Sequence, residues 1–211
     1  MPRIVLGVSG ASGISLAQHA LLALVEAGYT VDLIMTRASL QTAQIELGDD
    51  YSSPAKFVAA LPVQYQDQVV VYRLQDFSGL VASGTKPTEG MMILPCSMAT
   101  VAAISQGLSD NLLRRAADVT LKERRPLVLV PREAPFSTIH LENMLRLSKA
   151  GATILPPVPA WYTKPQTIEE IEKFIVGRVL DCFRIPHELY PRWEGTPKVE
   201  KKELEQSVSI H

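Results

Sequence analysis

Apolar residues in this chain gather into short unbroken runs separated by longer stretches of a different rhythm. The runs are Arg3–Ser9, Thr30–Thr36, Val69–Tyr72, Met91–Pro95, Leu127–Pro131 and Thr153–Leu155. Runs of this length without polar alternation predict strands buried on both faces. Between them apolar positions recur near every 3.6 residues, as at Ile14, Ala17, Leu21 and Leu24, with Gly28 at a plausible helix end. Alternating β and α predicts a mostly parallel sheet with helices on both faces and right-handed crossovers. The strand order is not written in the pattern.

The predicted architecture is therefore a three-layer α/β domain, Rossmann-like or flavodoxin-like, spanning residues 1–193. Residues 48–90 carry the weakest pattern and suggest a helix, an edge strand and a loop around Ser83-Gly84. The charged stretch 194–211 reads as a tail, solvated or draped over a partner.

Composition narrows the setting. The chain has 211 residues, 46% of them hydrophobic, and a mean hydropathy of +0.09. That is more apolar surface than one domain hides, which points to a homo-oligomer. Twenty-one basic residues against 22 acidic ones leave a net charge of −1, with no footprint for nucleic acid or a membrane surface. No apolar run approaches the roughly 18 residues of a membrane span. Met1-Pro2-Arg3 leads straight into a strand without a signal-peptide layout, and Cys96 and Cys182 have no metal or redox spacing. A reduced cytoplasmic setting is expected.

Candidate chemistry collects where strands end. GVSGASG (Gly7–Gly13) joins the first strand to the first helix, where a helix N-terminus attracts phosphate, and Ser9 and Ser12 add hydroxyls. The spacing is not GxGxxG, and no acid follows the second strand to clamp a ribose. A mononucleotide is preferred over a dinucleotide, with a tight turn and serine cap as the plain alternative. Thr36 and the segment PCSMAT (Pro95–Thr100) place further hydroxyls at strand ends, and Ser97 also suits a helix cap. Cys96 is either a buried structural thiol or a nucleophile.

The stretch from Asn111 to Glu133 is the most charged. Leu113, Ala116, Ala117 and Leu121 give a helix an apolar face, while Arg115 and Lys122, seven apart, share another. Six basic residues and two acids, Asp118 and Glu123, lie between Arg114 and Arg132. This excess suits a phosphate, or else acids on a neighbouring subunit. Arg132-Glu133 follows the strand LVLV and either binds an anion and moves a proton or forms a structural ion pair. Arg178 sits in a predicted helix Thr167–Cys182 near the apolar side formed by Ile168, Ile171, Ile175 and Val179. A charge there needs an acid from another helix or a bound phosphate. In PPVPAWY (Pro156–Tyr162), Trp161 and Tyr162 either wall a pocket or anchor a loop. His19 and His140 read as structural or solvent-facing.

Taken together, GVSGASG, PCSMAT, RAADVTLKERRPLVLVPREAP, HLENM, GATILPPVPAWY and PRW resemble the UbiX-type flavin prenyltransferases, once described as aromatic-acid decarboxylases. The resemblance covers Pro2 to Trp193. It implies flavin mononucleotide (FMN) contacts from Gly10, Ala11, Ser12, Thr36, Ser97, Met98, Ala99, Thr100 and Arg132. It implies that Tyr162 and Arg178 hold dimethylallyl phosphate, that Arg115 and Lys122 reach that phosphate from adjoining subunits, and that Glu133 assists proton movement. The resemblance also implies that Glu46 and Trp193 line the same pocket. Trp161 replaces the usual phenylalanine, and the tail is longer than the family's.

The implied reaction joins a dimethylallyl group to N5 and C6 of reduced FMN, for use by UbiD-type decarboxylases, in a dodecamer and without a metal. Two rivals remain. An FMN-dependent cysteine decarboxylase needs a catalytic histidine and an Asn-containing motif, whereas PCSMAT has no Asn and the first helix offers only His19. A non-catalytic flavin carrier needs no second anion pocket, and Arg178 far from the flavin site would favour it.

Overall fold

A computed structural model of the chain describes residues 1–192 and Gly195. Trp193, Glu194 and residues 196–211 lie outside the described residues, and with them the sequence-based readings of Trp193 and of the tail.

Six parallel strands form one sheet: β1 (Arg3–Val8), β2 (Thr30–Met35), β3 (Val69–Tyr72), β4 (Met91–Cys96), β5 (Leu127–Pro131) and β6 (Thr153–Ile154). Their order is β3-β2-β1-β4-β5-β6. The chain winds outward from β1 to one edge and then from β4 to the other, leaving a switch point between β1 and β4, where doubly wound sheets bind ligands. The apolar runs located every strand to within a residue or so. The four central strands β1, β2, β4 and β5 are buried on both faces, so their sequences cannot alternate with polar residues, while the edge strands β3 and β6 keep exposed positions.

The two faces of the sheet nevertheless sort by parity. Ile4, Leu6, Val8, Leu33, Met92, Leu94 and Val130 join one core cluster, whereas Val5, Ile34, Met91, Ile93 and Leu129 join the other. On the first face lie α1 (Ile14–Glu26), α2 (Arg37–Leu47), α3 (Pro54–Ala59) and the last helix. On the second lie α5 (Met98–Ser105), α6 (Leu112–Lys122) and α7 (Thr138–Lys149). A short α4 (Val63–Gln66) precedes β3, and α8 (Ile168–Cys182) closes the first face against α1. Residues 48–90 hold more helix than the sequence suggested, because each turn is too short to show a period. Ser53 caps α3 by accepting from Lys56 N at 3.2 Å, with Pro54 in the first turn.

One charged pair is sunk into the sheet. Asp32, fully buried in β2, accepts from Arg3 Nε at 3.1 Å and from Arg3 Nη2, and Tyr72 of β3 adjoins them. Hydrogen bonding to Asp32 pushes the Arg3 pKa up, so the guanidinium stays charged and ties β1 to β2.

Candidate active site

The carboxyl ends of β1, β2 and β4 are joined by short-range contacts that begin at Ser9. Ser9 is 1% exposed. Its Oγ accepts from Ser97 N at 2.7 Å and donates to Pro95 O at 3.3 Å, while its own N–H donates to Pro95 O at 3.2 Å. The GVSGASG loop after β1 is thereby fixed to the PCSMAT segment after β4, across the switch point. Gly10 presses on α2, since a Cβ there would stand 2.4 Å from Ala38 Cβ. Gly13, at φ +98, turns the chain into α1 in the left-handed region that glycine tolerates.

Each neighbouring strand end carries a capped helix. Thr36 Oγ1 accepts from Ser39 N at 3.1 Å to start α2. Ser97 Oγ accepts from Thr100 N at 3.3 Å and donates to Thr100 Oγ1 at 3.0 Å to start α5. The remaining first-turn amides of these helices have no intrahelical acceptor and point at the same edge. Ala11, Met98 and Thr100 are buried there, while Ser12 and Ala99 are exposed. Arg132 N donates to Cys96 O at 3.1 Å, which sets Arg132 and Glu133 beside the same ends. Arg132 is exposed and Glu133 half-buried, its Oε1 accepting from Ala134 N at 3.2 Å.

One anion at this edge belongs to the protein. The Glu46 carboxylate accepts from Gly13 N at 3.1 and 3.0 Å and from Ile14 N at 2.8 Å. The α1 N-terminus, read from the sequence as a phosphate seat, is held by Glu46. The amides that a phosphate would meet belong to α2 and α5.

Cys96 is settled by its surroundings. It is fully buried, and burial pushes its thiol up to about 12, so it is a structural residue and not a thiolate nucleophile. His140 closes a capping box with Ser137 at the start of α7. His19 Nδ1 lies 3.2 Å from Glu172 Oε2, without hydrogen-bond alignment.

Lys122 and Arg178 do not join this edge within one chain, and Arg115 is engaged by its own chain. Arg115 Nε donates to Ala82 O at 3.1 Å and its Nη1 pairs with Asp118 at 2.7 Å. Lys122 pairs with Glu123 in the last turn of α6, just before β5 begins, at the amino edge of the sheet. Arg178 also departs from expectation. It is half-exposed and its partner is Asp181 on its own helix, 3.3 Å away. Ile168 is 76% exposed, and the buried stripe is Ile175, Val176, Val179 and Leu180. That stripe turns Arg178 outward. Glu172 meets Ser15 at the start of α1, and Arg178 lies six residues, about 9 Å, further along α8 toward the amino edge. Trp161 and Tyr162 form an exposed 3-10 turn, with the Tyr162 ring edge-on to Phe174 at 6.4 Å.

Comparison with known proteins identifies the lineage of this edge. Residues 1–180 match the Flavoprotein family. The flavin prenyltransferase UbiX of Chlamydia pneumoniae is 49% identical over 195 residues, covering 92% of this chain and 99% of its own. This chain belongs to the UbiX flavin prenyltransferase family. Among solved structures, AnUbiX (PadA1) in complex with FMN and dimethylallyl pyrophosphate is 41% identical, with a TM-score of 0.84 over 92% of this chain and 98% of that one. A dodecameric FMN-dependent UbiX-like decarboxylase from Escherichia coli O157:H7 is 39% identical, with a TM-score of 0.80 over 92% and 100%.

The UbiX resemblance read from the motifs is thus correct. What sequence reasoning missed is the wiring. Ser9 was read as a ligand hydroxyl, whereas its hydroxyl is spent on the PCSMAT backbone. Asp181 was not singled out, although it organises everything around Arg178. A usable signal was Gly177, a helix-interior glycine beside Arg178. A Cβ there would stand 2.6 Å from the Tyr190 ring.

Proposed function

We propose that this chain joins the dimethylallyl group of dimethylallyl phosphate to N5 and C6 of reduced FMN. The observation that carries this reading is the Ser9-centred edge, where the capped starts of α2 and α5 and the Arg132-Glu133 pair surround one switch point. Its donors fit a mononucleotide. Hydroxyls and first-turn amides are present, β2 ends on Met35-Thr36-Arg37 without an acid, and the Glu46 carboxylate that reaches the loop is engaged by Gly13 and Ile14.

Gly10, Ala11, Ser12, Thr36, Ser97, Met98, Ala99, Thr100 and Arg132 would hold the flavin. Reduced FMN supplies the nucleophilic N5 and C6. Tyr162 and Arg178 would bind the allylic phosphate, and Arg115 and Lys122 would stabilise its departing charge, a contribution that grows as the carbon–oxygen bond breaks. Glu133 would carry the proton on its carboxyl oxygens. Because Lys122 and Arg178 stand away from the chain's own flavin edge, they act on the edge of a neighbouring copy. Arg178 placed this way in a lone chain is what a flavin carrier would show. Membership of a prenyltransferase family favours the enzyme, and assembly of copies supplies the second anion pocket.

A homo-oligomer, dodecameric as in the Escherichia coli relative, follows from this reading. So do one domain over 1–193, a UbiD-type decarboxylase as recipient, and a cytoplasmic setting. No helix among the described residues is long and apolar enough to cross a membrane. Incubation with reduced FMN and dimethylallyl phosphate should give a flavin heavier by one C5H8 unit in the mass spectrum. No such gain, with either the monophosphate or the diphosphate donor, overturns the proposal.

A further inference from the structure

Asp181, in the last turn of α8, gathers a strap formed by residues 186–192. Its Oδ1 accepts from Arg192 Nη1 at 2.7 Å and lies 3.2 Å from His187 Nε2, while its Oδ2 accepts from Tyr190 Oη at 2.5 Å and from Arg178 Nη1 at 3.3 Å. Arg192 Nη1 also donates to Tyr190 Oη at 2.9 Å. Gly177 leaves room for the strap, because a Cβ there would meet both Tyr190 and His187.

The charges do not balance. One carboxylate faces two guanidinium groups, and both arginines keep about half of their side chains exposed, 53% for Arg178 and 51% for Arg192. Two cations held side by side on one acid, with residual positive charge turned to solvent, form a seat for a phosphate. The same hub reaches Tyr162 through rings. Tyr190 packs on Phe174 at 4.8 Å, and Phe174 meets Tyr162 edge-on.

We propose that Asp181 is a positioning residue that holds Arg178 and Arg192 together as a two-arginine clamp for the phosphate of the allylic donor. The proposal rests on the prenyltransferase reading and adds Arg192 as the second arm. Asp181 fixes the direction of both guanidinium groups and limits their mutual repulsion.

The test uses the full chain loaded with FMN, with dimethylallyl phosphate titrated by calorimetry alongside steady-state kinetics. Asp181→Asn should raise both Kd and KM for the donor about tenfold, the size of a lost charge-assisted hydrogen bond. FMN affinity should stay within about twofold. Asp181→Glu should recover most of the donor affinity, which a merely structural loss would not allow. Arg192→Gln should weaken the donor about threefold to fivefold, as an exposed charge contact does. Donor affinity unchanged in both Asp181→Asn and Arg192→Gln overturns the clamp, as does an Asp181→Asn loss shared equally by FMN. If Asp181→Asn does not fold, Arg192→Gln decides. A wild-type chain that binds the donor but forms no product would instead reject the reaction and leave the clamp standing.

Discussion

The sheet edge and the α8 strap hold charge and hydrogen bonds in opposite ways. At the edge, Ser9, Thr36 and Ser97 use their hydroxyls on backbone groups within a few ångströms, and the residues beneath them are buried. On α8, the polar groups are side chains meeting side chains around Asp181, and the arginines remain half in solvent. The first arrangement is finished within one chain. The second is preformed but points outward, as a surface must if it is to complete a site on another copy. A rigid seat for a flat ring and an open cationic clamp for a leaving phosphate are what a two-substrate transfer requires.

Substitutions can pull these regions apart. Glu133→Gln should have the largest effect, lowering turnover by about a hundredfold or more, the usual weight of a positioned acid or base, while FMN Kd is unchanged. If flavin binding vanishes instead, the role given to Glu133 is wrong. Ser9→Ala should strand the half-buried Ser97 N–H and cost about 1 kcal/mol of stability in denaturant titration, with a matching loss of flavin affinity. Gly177→Ala separates local from tertiary preference. Alanine favours a helix interior over glycine by about 1 kcal/mol, yet its Cβ meets Tyr190 and His187. Donor affinity should fall several-fold, by about 1 kcal/mol, with FMN binding intact. A more stable protein with unchanged donor KM would show that the strap does not shape the clamp.

The smallest expected effect is one of pH. Burial works against ionisation of Asp181, but hydrogen bonds from Tyr190 and Arg192 overcome it and hold the carboxyl below the usual aspartate range. Its ionised form therefore stabilises the folded strap at neutral pH, and that stabilisation is lost as pH falls through and below that range. The acid-side decline of Tm should be shallower in Asp181→Asn than in wild type.

The same contrast explains what the sequence revealed. Strands such as Leu127–Pro131 are buried on both faces and appear as plain apolar runs, and Thr36 and Ser97 are caps that act over three residues. Such short-range features can be read locally. Strand order could not be, because pairing of Val5 with Met91 spans 86 positions and leaves no local trace. Nor could the partner of Arg178, since its helix presents Ile171 and Ile175 close by in sequence, while the strap that meets Asp181 lies beyond the helix end. Glu46 shows the same limit. Its reach back to Gly13 and Ile14 depends on how α2 packs, which periodicity does not encode.

The division of the site between copies can be tested by complementation. Glu133→Gln and Arg178→Gln chains, each impaired alone, are co-expressed so that mixed oligomers form, and prenylated flavin is measured by mass. Sites that draw Glu133 from one chain and Arg178 from its neighbour should restore product well above the sum of the two variants. Product no greater than that sum would place both residues in the same chain's site and contradict the account.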